Sequence, residues 1–397
     1  MESLLNIAQI WYNELCGIIK DKGIMIFILF VPLVYPLLYS YVYTNEVVRD
    51  VPVVVVDDCN NAISREMIRK INASPDVEVI ARCNNMDEAL QSVKEQESYG
   101  IIRIPSSLSQ DIYNGGQTHI GVYCDMASLL YYKAILLTAT NVSLEMNKDI
   151  KVEHYLTGST ERQDEITKMP VEYDYVPWYN PQSGFAAFLI PPVLMLIIQQ
   201  TLFLGIGMSM GNSREKNMGC VIPFNRWYKN PVHIVFGKGL PYFFLYIVLS
   251  IYMFIVVTRI FTLPQLGDYW TFIAFIIPYL LSCIFLGMVL SSFVYRREDC
   301  IMLFVFMSVP MLFLSGLSYP QTSMPEFWKY ISYIFPSTFG MNGYVKIASM
   351  GASIHDVKTE YCALWLQTGV YFCMACVFYR NQILKLAHRV KPKNTIS

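Results

Sequence analysis

GNSREKNMGCVIPFNRWYKNPVHIVFGKGLPY, residues 211–242, is charged and broken by prolines, and it separates two stretches apolar enough to cross a bilayer, 185–210 and 240–257. Arg214, Glu215, Lys216, Arg226 and Lys229 cannot rest in hydrocarbon, where a charge at the centre of a span costs about 2.5–3.5 kcal/mol. The segment therefore reads as a loop held in water between two membrane helices. Its positive excess assigns that water to the cytosol, because short cytosolic loops concentrate Lys and Arg.

Working outward from this loop, six apolar runs come near the ~20 residues that ~30 Å of hydrocarbon requires. They are 24–43, 185–210, 240–257, 270–295, 300–317 and 361–379, the third and fifth being the shortest. With 54% hydrophobic and 15% charged residues in 397, and a mean hydropathy of +0.36, the composition excludes an ordinary soluble globule. Basic residues gather at Lys20/Lys22, Arg214 to Lys229, Arg296/Arg297 and Arg380 to Lys393. Six alternating crossings put all four clusters on one side and both termini in the cytosol. The first run exceeds a signal-peptide core and ends in Tyr39, Tyr41 and Tyr43 rather than a small-residue cleavage site, so an uncleaved span with an aromatic belt is expected.

Residues 1–23 place Leu4, Leu5, Ala8, Trp11, Tyr12, Leu15, Ile18 and Ile19 at helical spacing, the pattern of an amphipathic helix in the cytosolic interface. The first transmembrane helix, 24–43, follows. Residues 44–178 then alternate strand signals (51–56, 77–81, 99–104, 119–124) with helix signals (61–71, 86–97, 106–113, 128–154). That order predicts a small α/β domain with a parallel or mixed sheet, outside the cytosol by alternation. Tyr173, Tyr175, Trp178 and Tyr179 bring the chain back to headgroup level. Residues 179–380 carry five spans, with the cytosolic loop at 211–239 and a longer outer loop at 318–359. Pro320, Pro325 and Pro336 cut the outer loop into amphipathic pieces, 326–335 and 337–350, which read as a re-entrant hairpin. Irregular backbone at that depth survives only where protein or a water-filled path covers it. Residues 381–397 form a basic cytosolic tail. The fold class expected is an α-helical polytopic membrane protein of six transmembrane helices, arranged 1+5, with an inserted α/β extracytoplasmic domain.

Little in the chain points to chemistry. Gly237-Lys238 is followed by Gly239 and not by the Ser or Thr of a phosphate loop. Gly205, Gly207 and Gly211 form a small-residue seam, which in a membrane helix means close packing. The five histidines are scattered, no nucleophile elbow occurs, and neither a catalytic residue nor a metal site is expected. Cys373 and Cys376 read as packing residues within the last span. Cys59, Cys83 and Cys124 fall in the outer domain, where one disulfide is allowed and the pair stays open. No Asp or Glu lies near the middle of a span, although ion-coupled transporters hold a carboxylate there. Uphill transport by this chain would then draw its energy from a separate subunit acting on a cytosolic handle, and 211–242 is the handle.

The order and spacing of motifs resemble the membrane subunit of ABC transporter type-2 permeases, in particular bacterial exporters with a large extracytosolic domain. Arg214-Glu215-Lys216, Gly219, Gly237-Lys238 and Pro241-Tyr242 match the stretch between spans two and three, and Tyr179-Asn180-Pro181 precedes span two. Leu314-Ser315-Gly316, Met324-Pro325, Trp328, Pro336 and Gly343 follow the family pattern after span five. Ile222 stands where members carry a carboxylate, Trp227-Tyr228 near a usual Thr-Pro, and Lys346 where an Arg is usual.

The resemblance implies a permease subunit without its own ATPase site. It would pair with a second permease copy, identical or homologous, above two ABC ATPase subunits that bind the ATP; the permease itself needs no cofactor. Arg214, Glu215, Arg226 and Trp227, with Trp11 and Glu14 from the first helix, are the expected ATPase-coupling residues. Pro325, Trp328 and Pro336 shape the outer hairpin. The outer domain is expected to dock a periplasmic adaptor or to cap the exit; the remaining contacts are membrane lipid, with no nucleic acid. The setting implied is a bacterial plasma (inner) membrane. The rival from another class is a non-transporting membrane scaffold that presents its outer domain to a partner.

Overall fold

Two hydrophobic periods alternate along the chain, and each builds a unit of its own in the computed structural model. The structure describes residues 2–45, 47–114, 116–155, 179–180, 184–217, 219–223 and 227–390. Helices α1 (Glu2–Lys20) and α2 (Lys22–Val42) open a helical unit. Residues 47–176 form a second unit, and the chain then returns to the first.

The second unit runs β1 (Val51–Asp57), α3 (Ala62–Asn72), β2 (Val77–Cys83), α4 (Met86–Lys94), β3 (Gly100–Ile104), α5 (Leu108–Tyr113), β4 (Gly121–Cys124) and α6 (Leu129–Tyr155). Its four-stranded sheet has the order β2-β1-β3-β4, with β1 parallel to β2 and β3, and β4 antiparallel to β3. The β-branched run of β1 is continuous because both faces are covered, as parallel strands demand. Val51, Val53 and Val55 pack with Met67, Ile68 and Ile71 of α3 and Ile135 of α6, while Val54 and Val56 turn to Ala89 of α4 on the other face. Asn61 caps α3 through a reciprocal bond with Ser64, and Asn85 caps α4, each satisfying an orphan amide of the first turn. The mixed sheet and its helices follow the expected alternation.

Cys59, Cys83 and Cys124 are all free thiols. Cys83 and Cys124 lie on the two edge strands of the sheet, about 14 Å apart at normal strand spacing, far beyond disulfide reach. The expectation that one bridge could form is not met for that pair, and Cys59 sits beside the Ser109 hydroxyl instead.

In the helical unit, α7 (Phe185–Lys216), α8 (Pro231–Ile260), α9 (Tyr269–Phe293), α10 (Arg297–Leu314), α11 (Glu326–Ser332), α12 (Pro336–Met350) and α13 (Lys358–Val390) follow. Helix α7 is apolar on every side and buried on every side, the signature of a central post. Its glycine seam packs as expected: a Cβ at Gly205 would strike Ile28 of α2, and one at Gly207 would meet Cys300 and Phe304 of α10. The outer helices invert the usual globular pattern. Phe30 and Leu38 of α2, and Leu366 and Val377 of α13, are more than half exposed, which suits contact with lipid and not with water.

Among the described residues five helices, α2, α7, α8, α9 and α13, are long and apolar enough to cross a membrane, one fewer than the six expected. The difference is α10, which overlaps the expected span 300–317 from its start to Leu314. It has 18 residues, about 27 Å of rise, and its first turn carries Arg297, Glu298 and Asp299. It packs antiparallel to α7: Cys300 lies at the Leu204 carbonyl, and Met311 lies at Gln199 and Gln200. The loop after α7 is also shorter than expected. α7 continues to Lys216, and α8 starts at Pro231, capped by Asn230. Pro at the first helical position removes an amide that would have no partner.

Within 318–359, the stretch expected to form a re-entrant hairpin, lie the helices α11 and α12. The carbonyls at their junction find side-chain partners: Thr338 donates to Ser332 O at 2.7 Å, Gln367 to Tyr333 O at 2.7 Å, and Tyr371 to Ile334 O. Buried Gln199, near the middle of α7, accepts from the Ser337 amide at 2.8 Å and donates to its hydroxyl at 3.1 Å. The irregular backbone is thus satisfied by protein, as burial requires.

Candidate functional site

Helix α1 carries apolar residues on two faces. Ile10 and Ile18 are buried, whereas Leu4, Leu5, Tyr12 and Ile19 are more than half exposed. The buried face packs on α8 at Gly237, where a Cβ would come within 2.7 Å of the Ile10 side chain and 3.2 Å of the Ile7 carbonyl. Only glycine permits this approach. It brings Glu14 to Lys238 with Oε2 and Nζ 3.0 Å apart, in side chains 10% and 3% exposed.

Glu14 Oε1 also accepts from Ser209 Oγ of α7 at 2.6 Å and from Tyr242 OH of α8 at 3.0 Å. Both carboxylate oxygens are therefore occupied, which a buried ion pair needs if it is to offset its desolvation. Burial drives the Glu14 pKa upward. The Lys238 ammonium and the Ser209 and Tyr242 hydroxyls more than offset it, so the carboxyl titrates below its ordinary range.

A second joint lies at the same end of α7. Asp21 caps α2 by accepting from the Gly23 and Ile24 amides, takes Asn212 Nδ2 of α7 at 2.9 Å and pairs with Arg297 of α10. Arg214 turns inward and is 5% exposed. It donates to Ser292 O at 3.0 Å and to Val294 O, and its guanidinium stands 5.0 Å over the Tyr295 ring. Arg214 thus binds the last carbonyls of α9, where a cation is favoured. Glu215 is exposed, and its carboxylate accepts from the Arg297 amide at 3.2 Å, at the N-terminus of α10.

Of the residues expected to couple to an ATPase, the structure brings Glu14, Arg214 and Glu215 into one belt of joints linking α1, α2, α7, α8, α9 and α10. Glu14 and Arg214 face other helices of the chain, and Glu215 faces outward. Trp11 is half-buried, Trp227 packs partly against the apolar core, and Arg226 lies outside the described residues, as do Tyr173, Tyr175 and Trp178. In the hairpin, Pro336 is buried at the start of α12, Pro325 precedes the first turn of α11, and Trp328 is half exposed against Phe327. Reading the sequence alone missed Ser209 and Asp21. The one signal for Asp21 was an acid immediately before a helix start.

An apolar bundle with several helices long and apolar enough to cross a membrane defines a multi-pass membrane protein. Residues 22–377 match the ABC-2 family transporter protein family, and the chain belongs to that family. It is similar to ABC transporter G family member 20 of Dictyostelium discoideum, with 25% identity over 329 residues, 78% of this chain and 42% of that protein. It is also similar to the probable multidrug ABC transporter permease YbhR of Escherichia coli (strain K12), with 24% identity over 217 residues, 52% of this chain and 56% of that protein. The chain spans about half the length of the curated relatives it matches.

Proposed function

We propose that this chain is the membrane-spanning permease subunit of an ATP-driven exporter, moving its cargo out of the cytoplasm or the inner leaflet with energy from a separate ABC ATPase that binds the ATP. The observation that carries this reading is the Glu14–Lys238 joint, which ties an interfacial helix to a membrane helix through a buried ion pair whose carboxylate oxygens are both engaged. A force on α1 cannot be absorbed by sliding at that joint, because parting the charges costs about 3–5 kcal/mol. Displacement passes to α8 through Lys238, to α7 through Ser209, and to α2 and α10 through Asp21.

The ATPase would bear on α1 and on the loop between α7 and α8. Glu215, Arg226, Trp227 and Trp11 provide the contact, while Glu14 and Arg214 hold the frame behind it. α10 is the sixth crossing in this scheme, and a second permease copy completes the path. Both termini then lie in the cytosol of a bacterial plasma membrane, and residues 47–176 lie outside it, open to a periplasmic adaptor. The name of the Escherichia coli relative supports a multidrug class of cargo.

The test is purification of the full chain from its native membrane. An ATP-hydrolysing subunit should accompany it, and Glu215→Ala should lower that subunit's hydrolysis without releasing it. A chain that purifies with no such companion would favour a scaffold role.

A further inference from the structure

Strand β2 is one edge of the sheet in the second unit, and an edge strand leaves a row of amides and carbonyls without a neighbouring strand. A groove of about 400 Å³ lies between this edge and α3. The strand is not regular along it. Val53 of β1 stands opposite Val79 and Val55 opposite Arg82, with a register shift between Val53 and Val54. Val53 and Val55 share the face of the sheet that α3 covers. Val79 and Arg82 therefore share it too, although residues three apart on a regular strand point to opposite faces. The bulge absorbs the extra residue and re-aims Arg82 toward α3. Glu78, in register with Pro52, stays on the other face by alternation.

From the helix side, Arg69 in the last turn of α3 lines the same groove. Arg69 and Arg82 are both exposed. Among the described residues neither forms an ion pair, whereas the adjoining Lys70 is held by Glu145 and Asp149. Between the two arginines the walls are apolar: Ile68 is buried, and Ile80 is 43% exposed. The Val79 amide donates across to Asn72 Oδ1 at 2.9 Å, and both residues line the groove. An exposed side chain thus takes the place that the carbonyl of an added strand would occupy. A second copy of this edge would set one basic groove against another, and like charges across paired strands are destabilising. A small free anion would answer the arginines but leave Ile80 and the Val79 amide unused.

We propose that the groove between β2 and α3 docks an extended, acidic segment of a partner protein, which adds to the edge of β2 while its carboxylates meet Arg69 and Arg82. Main-chain hydrogen bonds supply the attachment and the two guanidinium groups supply the preference for acidic side chains. Only the compartment in which that partner is met rests on the permease reading, and the test needs no ATPase. Absence of binding would leave the coupling scheme standing, and absence of an ATPase would leave the chemistry of the groove standing.

The experiment titrates the full chain, in nanodiscs of zwitterionic lipid at pH 7, with three fluorescein-labelled octapeptides. One alternates Glu with Thr, the second alternates Lys with Thr, and the third is the Glu-Thr peptide N-methylated at every second residue. Anisotropy is read against empty nanodiscs. The acidic peptide should bind about tenfold more tightly than the basic one, the worth of one charge-assisted hydrogen bond, and N-methylation should remove that binding. Arg69→Gln and Arg82→Gln should each cut the preference severalfold; both side chains are exposed, so the fold survives their replacement. Asn72→Ala, which frees the Val79 amide for an incoming carbonyl, should tighten the acidic peptide. Equal binding of the acidic and basic peptides would overturn the proposal. So would acidic binding indifferent to N-methylation, which would mark attraction of charge alone, or indifferent to both arginine variants, or weakened by Asn72→Ala.

Discussion

Lys238 sits in a stretch whose charges place it in water when the sequence is read alone, yet it is buried within α8. Its partner comes from the far end of the chain, on α1, and no local pattern announces a contact between segments so distant in sequence. Removing one member strands the other in an apolar joint. Glu14→Gln or Lys238→Met should therefore destabilise the protein by about 3–5 kcal/mol, measured by thermal unfolding in detergent. Exchanging the two charges should recover part of that loss. The joint also has a pH signature. The Glu14 carboxyl titrates below its ordinary range in the folded chain, so its contribution is fully present above the unfolded glutamate value of about 4.3. It is lost as pH falls through the lower native value. The melting temperature of the native chain should fall more steeply below pH 4.3 than that of Glu14→Gln, for which the term is absent.

At the scale of elements, the α/β alternation was legible because β1 is a continuous β-branched run between capped helices, and such local signals need no tertiary context. The break of 318–359 into short helices was legible through Pro325 and Pro336, which stand at the starts of α11 and α12. What holds the turn between them was not. Gln199 stood out only as a polar residue inside an apolar span, and its partners Ser337 and Met311 belong to elements far along the chain. Gln199→Leu should leave the Ser337 amide without its acceptor and cost about 1–3 kcal/mol. Limited proteolysis would check this by earlier cleavage between α11 and α12 than in the native chain. α10 illustrates the limit of counting apolar runs: the segment 300–317 was found, but its helix starts three residues earlier, on charges that tie it to Asp21 and Glu215.

For the whole molecule, the joints made by Glu14, Asp21, Arg214 and Glu215 mark one end of the helical unit, and the turn that follows α10, with exposed Tyr319, lies at the other. If the basic end is cytosolic, single cysteines at Lys216 and Tyr319, in a background with all ten native cysteines replaced by serine, should label from opposite sides. A membrane-impermeant maleimide should reach position 216 only in inverted vesicles and position 319 only in intact cells. Labelling of both from the same side would break the alternation on which the topology depends.

The claim beneath all of this is that the bundle takes its force from outside itself, through α1. The most direct measurement is ATP hydrolysis by the complex purified on the native chain, compared with the same complex carrying Glu14→Gln. A companion that hydrolyses ATP should be present in both preparations, and its rate should fall severalfold in the variant while its amount stays the same. Equal rates in the two preparations, or no hydrolysing companion in either, would contradict a permease driven through this joint.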